Sequence, residues 1–210
     1  RGIAVLDLKE AAGAVRQLAA TDTAPGVREE ALRALGQFAN GGDADSLKAL
    51  LDAADQATAP VPGLADAVSK LAPGDEAGKR LLRERGLKAL GPAPQGVPGI
   101  RSAYLEAAGG LLVTLLSGTE SAPPEALPIF QAVVGRLADP DPAVRIVADK
   151  LLRQVQGSQR VELAVESLAH EDPWIRVWAE SALRQVSGMA IGCDPFAPEA
   201  ERKPSIDAWR

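Results

Sequence analysis

The stretches PDPAVRIVADKLLRQ (residues 140–154) and EDPWIRVWAESALRQ (residues 171–185) are near copies of one another. In each copy an Asp-Pro pair is followed by a branched apolar residue, an arginine and a run rich in apolar side chains. The second copy starts 31 residues after the first. Self-similarity at this period is typical of repeat proteins, in which stacked units share one continuous core.

Weaker copies of the same pattern lie upstream. PGVREEALRALG (25–36) and PGIRSAYLEAAG (98–109) keep the proline and the arginine, whereas PGLADAVSKLA (62–72) has Ala65 in place of the arginine. Before every copy lies a stretch whose apolar residues recur at intervals of three and four, as in an amphipathic helix. These five stretches are 6–20, 43–55, 76–90, 124–138 and 160–169. The pattern predicts an all-α chain of about five helical hairpins.

The start of each motif helix can be explained by physical chemistry. Asp141 and Asp172 stand where a helix N-cap accepts a backbone N–H, and a proline follows at the first helical position. Ala148 and Ala179 then fall on the predicted buried face, where a small side chain lets a neighbouring helix approach closely.

Composition excludes several classes of function. The net charge of −5 argues against general nucleic-acid binding. The single cysteine, Cys193, excludes an intrachain disulfide or a cysteine-based zinc site, and no cofactor is expected. No apolar run reaches the length of a membrane span. Because the sequence begins at Arg1, we expect a processed or truncated product of a larger chain or complex, with its compartment open between cytoplasm and periplasm.

The motif DPAVRIVADKLL (141–152), and still more DPWIRVWAESAL (172–183), resembles the short bacterial HEAT repeats related to those of phycobilin lyases. The resemblance implies an α-α superhelix, or solenoid, over residues 1–188, with the second helix of each pair on a concave surface. It also implies that the Asp and Arg of the motif link neighbouring repeats. The residues concerned are Asp141, Asp172, Arg28, Arg101, Arg145 and Arg176.

The tail (189–210) is similar to a segment that follows the last HEAT repeat in planctomycete-type bacterial proteins. We expect an irregular C-terminal cap that covers the last repeat and buries Phe196 or Trp209.

Trp174 and Trp178 are the candidate partner-binding residues, because they are four apart on one helical face and tryptophan is favoured in binding sites. The alternative is that both pack under the tail. His170, the only histidine, is expected to be a turn residue, since one histidine makes no metal site by itself. The basic stretch 79–85 is expected to be a solvated helix face, because the chain as a whole is acidic.

No catalytic constellation is evident, so the sequence favours a non-catalytic scaffold that presents a concave surface to a protein partner. Two alternatives remain open. By resemblance, the chain is a bilin lyase-like or chaperone-like factor that acts on a tetrapyrrole carrier protein. Alternatively it is a nucleic-acid-processing HEAT fold, which the acidic charge disfavours.

Overall fold

The computed structural model describes residues 8–91, 96–188 and 193–209, with side chains from residue 11 onward. Within these ranges the chain forms eleven α-helices, one short 3₁₀ helix and no β-strand, so the all-α prediction is confirmed. The helices are α1 (Leu8–Thr21), α2 (Pro25–Asn40), α3 (Ala44–Gln56), α4 (Leu64–Ser69), α5 (Glu76–Ala89), α6 (Pro98–Leu116), α7 (Ala126–Gly135), α8 (Pro142–Leu152), α9 (Gly157–Ser167), α10 (Pro173–Ser187) and α11 (Glu199–Trp209). The 3₁₀ helix, Arg136–Ala138, directly follows α7.

The chain separates into two compact units, Arg1–Leu111 and Leu112–Arg210. This division falls inside the stretch 1–188 that the repeat pattern predicts as one solenoid. In the first unit α2 packs against α1, α3 and α4, and α3 also contacts α5. The core of this unit is aliphatic, and its fully buried side chains include Leu35, Leu47, Leu50, Leu51, Leu64 and Leu82.

The weak copy at 62–72 gives the shortest helix, α4, which covers only Leu64–Ser69. Its N-cap residue is Gly63, whose φ of 78° is a left-handed conformation that favours glycine. A Cβ at this position would lie 2.6 Å from the Glu29 side chain and 2.9 Å from its carbonyl oxygen. Gly63 therefore allows the turn to pass close to α2, where a larger residue would collide.

In the second unit α7 contacts α8, α9 and α10, and α9 packs against α10. Phe130 of α7, Ala148 of α8 and Ala179 of α10 have no exposed surface, which places both motif alanines in the core, as predicted. The small alanine side chains leave room for α7 and α9 to approach.

The tail differs from the prediction of an irregular cap, because Glu199–Trp209 forms helix α11. Pro204 lies inside this helix, although proline usually interrupts a helix interior. Residues 189–192 of the predicted tail lie outside the described residues.

Candidate functional site

Each Asp-Pro motif caps its own helix. Asp141 accepts a hydrogen bond from the backbone N–H of Ala143 at 2.8 Å, and Asp172 accepts one from Trp174 at 2.9 Å. In both cases a carboxylate satisfies an N–H of the first turn that has no acceptor within the helix.

The motif arginines reach back to the turn that precedes their helix. Arg145 donates from Nη1 to the carbonyl oxygens of Asp139 (2.7 Å) and Pro140 (3.1 Å). Arg176 donates in the same way to the carbonyl oxygens five and six residues before it, at 2.7 and 2.6 Å. Arg101 donates to the carbonyl oxygen of Gly96, also five residues back, at 2.7 Å.

The bonds observed for these motif residues are local, whereas the resemblance implied links between neighbouring repeats. The bonds of Asp141, Asp172 and Arg145 lie within one turn and its helix, rather than between neighbouring repeats. The geometric reason is that the guanidinium of the fourth helical residue lies beside the free carbonyl oxygens of the turn. Arg28 has no corresponding bond within the parts of the chain that the structure describes.

His170 takes the place of Asp139 in the last turn. The backbone N–H of Asp141 donates to Asp139 Oδ1 at 3.0 Å, and the backbone N–H of Asp172 donates to His170 Nδ1 at 3.0 Å. The histidine is therefore a turn acceptor, and its bonded Nδ1 carries no proton in this arrangement.

The tail packs on the last hairpin through two arginines. Arg176 donates from Nε to the Pro195 carbonyl oxygen at 2.6 Å, and Arg202 donates to the Leu168 carbonyl oxygen at 2.6 Å. Cys193 and Ile206 are buried in the same apolar cluster as Leu168. Burial raises the pKa of the Cys193 thiol. A thiol held in its protonated form is a poor nucleophile, which fits a packing role.

Of the two aromatic side chains that the tail was expected to bury, Phe196 is exposed and Trp209 packs on the last repeat. Phe196 is 62% exposed and therefore is not buried by the tail. Trp209 is half-buried against the cluster that contains Cys193 and Ile206, and its indole N–H has no hydrogen-bond acceptor among the described residues.

Trp174 and Trp178 occupy different surroundings, although they share a helical face. Trp178 is half-buried, meets Phe130 edge-on with ring centroids 5.2 Å apart, and lies beneath the Arg160 guanidinium at 5.9 Å. Trp174 is 64% exposed and meets Phe196 edge-on at 6.1 Å. The structure thus pairs one tryptophan with the core and the other with the tail.

A cleft lies beside this pair. The cavity has a volume of about 360 Å³ and opens between α10 and the end of α7. Its apolar walls include Val134, Leu137, Ile175 and both Trp174 and Trp178. We define the aromatic surface as Trp174, Phe196 and this cleft.

In the first unit a polar network that the sequence pattern does not predict joins the buried Tyr104 to partly exposed charged side chains. The Tyr104 hydroxyl donates to Asp55 Oδ1 at 2.8 Å, and Arg85 pairs with both Asp52 and Asp55. Burial raises the pKa of Tyr104, and the Asp55 carboxylate raises it further. These four residues come from three helices, and nothing in their local sequence marks them as partners.

No group of three or more metal-ligating side chains occurs among the described residues. Within the same residues no helix is long and apolar enough to cross a bilayer. No protein-family model matches the chain, and no curated protein matches it either. The functional conclusion therefore rests on the surfaces described above.

Proposed function

We propose that this chain is a non-catalytic protein-interaction module built from HEAT-like helical repeats, and that a protein partner binds its aromatic surface. The repeated motif and the all-helical fold support the repeat assignment. Proteins of this architecture use extended surfaces, rather than enclosed pockets, for recognition.

One observation carries the proposal, namely that two large aromatic side chains are exposed side by side. Trp174 and Phe196 each expose more than three-fifths of their surface, yet their rings are held in an edge-to-face contact. Aromatic residues of this kind are enriched among the hot spots of protein interfaces, because they bury a large area at a small cost in conformational entropy.

The neighbouring contacts fix this pair in place. The Pro195 carbonyl oxygen accepts from Arg176, and Asp194 Oδ1 accepts from the backbone N–H of Phe196 at 2.9 Å. Both bonds hold the peptide group that joins Pro195 to Phe196, and so they fix the backbone from which the Phe196 ring projects. A surface that is ordered before binding loses less entropy when the partner arrives.

The cleft beside the pair indicates what the partner contributes. Its walls are mostly apolar, and its volume of about 360 Å³ is enough for one or two apolar side chains. We therefore expect the partner to insert an aliphatic or aromatic side chain beside Trp174, while its own surface covers Phe196.

The test is a quantitative comparison of variants. A partner is first captured with the purified chain and identified by mass spectrometry, and its Kd is then measured by calorimetry with purified components. We expect Trp174→Ala and Phe196→Ala each to weaken binding by about 30-fold, as for a hot-spot residue. The matched control is Ile146→Ala on α8, because Ile146 is 68% exposed and lies outside the aromatic surface. Equal affinity for the three variants would contradict the proposed location.

A further inference from the structure

The second unit contains another, larger cavity between α7 and α9. Its volume is about 810 Å³, and no described residue that lines it also lines the cleft of the aromatic surface. We call this cavity the α7–α9 groove. Its main walls are formed by Pro124 and Leu127 on the α7 side, by Val161, Glu162, Val165 and Glu166 of α9, and by Trp209 of α11.

The groove is held open by side chains at the start of α9. Gln159 donates to the carbonyl oxygens of Leu116 (2.9 Å) and Thr119 (2.7 Å). Glu162 Oε2 accepts from the Ser121 hydroxyl and from the Ala122 backbone N–H, both at 2.8 Å. These bonds fasten the loop before α7 onto α9, so the opposite wall of the groove is already positioned in the free protein.

The α9 wall carries two parallel rows of side chains. Val161 and Val165 form an apolar row, and Glu162 and Glu166 form an acidic row beside it, each pair four residues apart. Side chains at this spacing stand one turn apart on the same helix face. Among the described lining residues the charged groups are all carboxylates. The groove therefore offers an apolar floor with an acidic edge.

From this charge pattern we propose that the α7–α9 groove binds an amphipathic, basic helical segment of a protein partner. Apolar side chains of the segment would cover Val161, Val165 and Leu127, and Lys or Arg residues one turn apart would pair with Glu162 and Glu166. Binding of an amphipathic helix in an apolar groove is a recurrent mode of peptide recognition. The proposal concerns a surface other than the aromatic one, so the two proposals can fail separately.

The probe is a pair of synthetic peptides of about 15 residues, a length at which a helix becomes stable enough to form. Both carry leucines at successive turns of one face. One has lysines beside the leucines, and the other has glutamates at the same positions. Binding is followed by NMR titration of the labelled chain. We expect the lysine peptide to shift the resonances of Leu127, Val161 and Val165, and the glutamate peptide to leave them unchanged.

Variants test the acidic edge directly. In Glu162→Gln/Glu166→Gln the amide oxygen at 162 can still accept from the loop, and we expect the lysine peptide to bind about three- to tenfold more weakly. A control with equal charge loss is Glu106→Gln/Glu171→Gln, because both residues are exposed and lie outside the groove. Pro124→Arg, at an exposed loop position, adds a cation to the rim and should weaken binding further, whereas Pro124→Ala should not.

Three outcomes would overturn the proposal. The first is equal binding of the lysine and glutamate peptides, which would mean that the acidic row does not discriminate between basic and acidic ligands. The second is a set of shifts centred on Trp174 and Phe196 rather than on the groove. The third is the absence of any shift with either peptide.

Discussion

The substitution Tyr104→Phe removes one hydroxyl from the polar network of the first unit and leaves the ring in place. That hydroxyl donates to Asp55 Oδ1 at 2.8 Å, and the side chain is buried. A hydrogen bond to a charged acceptor contributes about 1.5–3 kcal/mol. Because Asp55 keeps its ion pair with Arg85, we expect a loss at the lower end, about 1.5–2 kcal/mol at neutral pH.

The stability lost through Tyr104→Phe should become smaller as the pH rises above the pKa of tyrosine in the unfolded chain. Burial and the Asp55 carboxylate raise the pKa of Tyr104 in the folded chain. Below the unfolded value of about 10 both states keep the phenolic proton, and the stabilisation is fully present. Above that value only the unfolded chain releases the proton, so the free energy of unfolding of the parent falls by about 1.4 kcal/mol per pH unit. The Tyr104→Phe variant has no phenolic proton to release and does not lose stability in this way. The difference in free energy of unfolding between the parent and the variant should therefore nearly vanish by about pH 11.

The assay uses the fact that the chain has one tyrosine. Its phenolate absorbance reports the titration of Tyr104 alone, and urea unfolding at several pH values gives the free energies. A double-mutant cycle with Asp55→Asn isolates the interaction of the two side chains. The reasoning would be refuted if the folded chain titrated near pH 10. It would also be refuted if Tyr104→Phe stayed within about 0.5 kcal/mol of the parent at neutral pH.

Three further predictions concern the second unit. Ala148→Leu and Ala179→Leu should each destabilise it by about 1–3 kcal/mol in urea unfolding, since both positions are fully buried; unchanged midpoints would show that the core has spare room. Arg202→Met should lower the free energy of unfolding by about 1–3 kcal/mol and accelerate amide exchange in α11, because it leaves the carbonyl oxygen of the buried Leu168 without its donor. His170→Asp should keep the parent stability and His170→Ala should lower it, since only the first retains an acceptor for the Asp172 N–H; equal melting temperatures would count against that bond.

The local part of the fold could be predicted because the information is local. The Asp-Pro signal at 141 and 142 predicted a helix whose first residue is Pro142, and α8 begins at that residue. Its N-cap requires only that a carboxylate lie two residues before the backbone N–H from which it accepts a hydrogen bond. In the tail the prediction of an irregular cap, which rested on similarity to other tails, was wrong, because Glu199–Trp209 forms α11. This helix contains Pro204 and is anchored from outside by the bond of Arg202 to the Leu168 carbonyl oxygen.

The candidate site could be predicted only in part. The spacing of Trp174 and Trp178 places both on one face, but it does not show that Phe130 meets one of them and Phe196 the other. The pairing of Tyr104 with Asp55 joins residues 49 positions apart and depends on how their helices pack. No pattern in the neighbouring sequence predicts such contacts. The same holds for the loop that Glu162 fastens to α9.

The reach of the motif arginines has a consequence for how this chain folds. Arg145 and Arg176 find their acceptors within six residues, so these bonds form without closing a long loop. Contacts of short range favour rapid folding, and each helix start can assemble before its hairpin meets a neighbour. A helix start that is specified by residues of its own segment can occur at different positions in a sequence. At α8 and α10 the preceding connections can therefore lengthen or shorten, while the local bonds of Arg145 and Arg176 still specify where each helix begins.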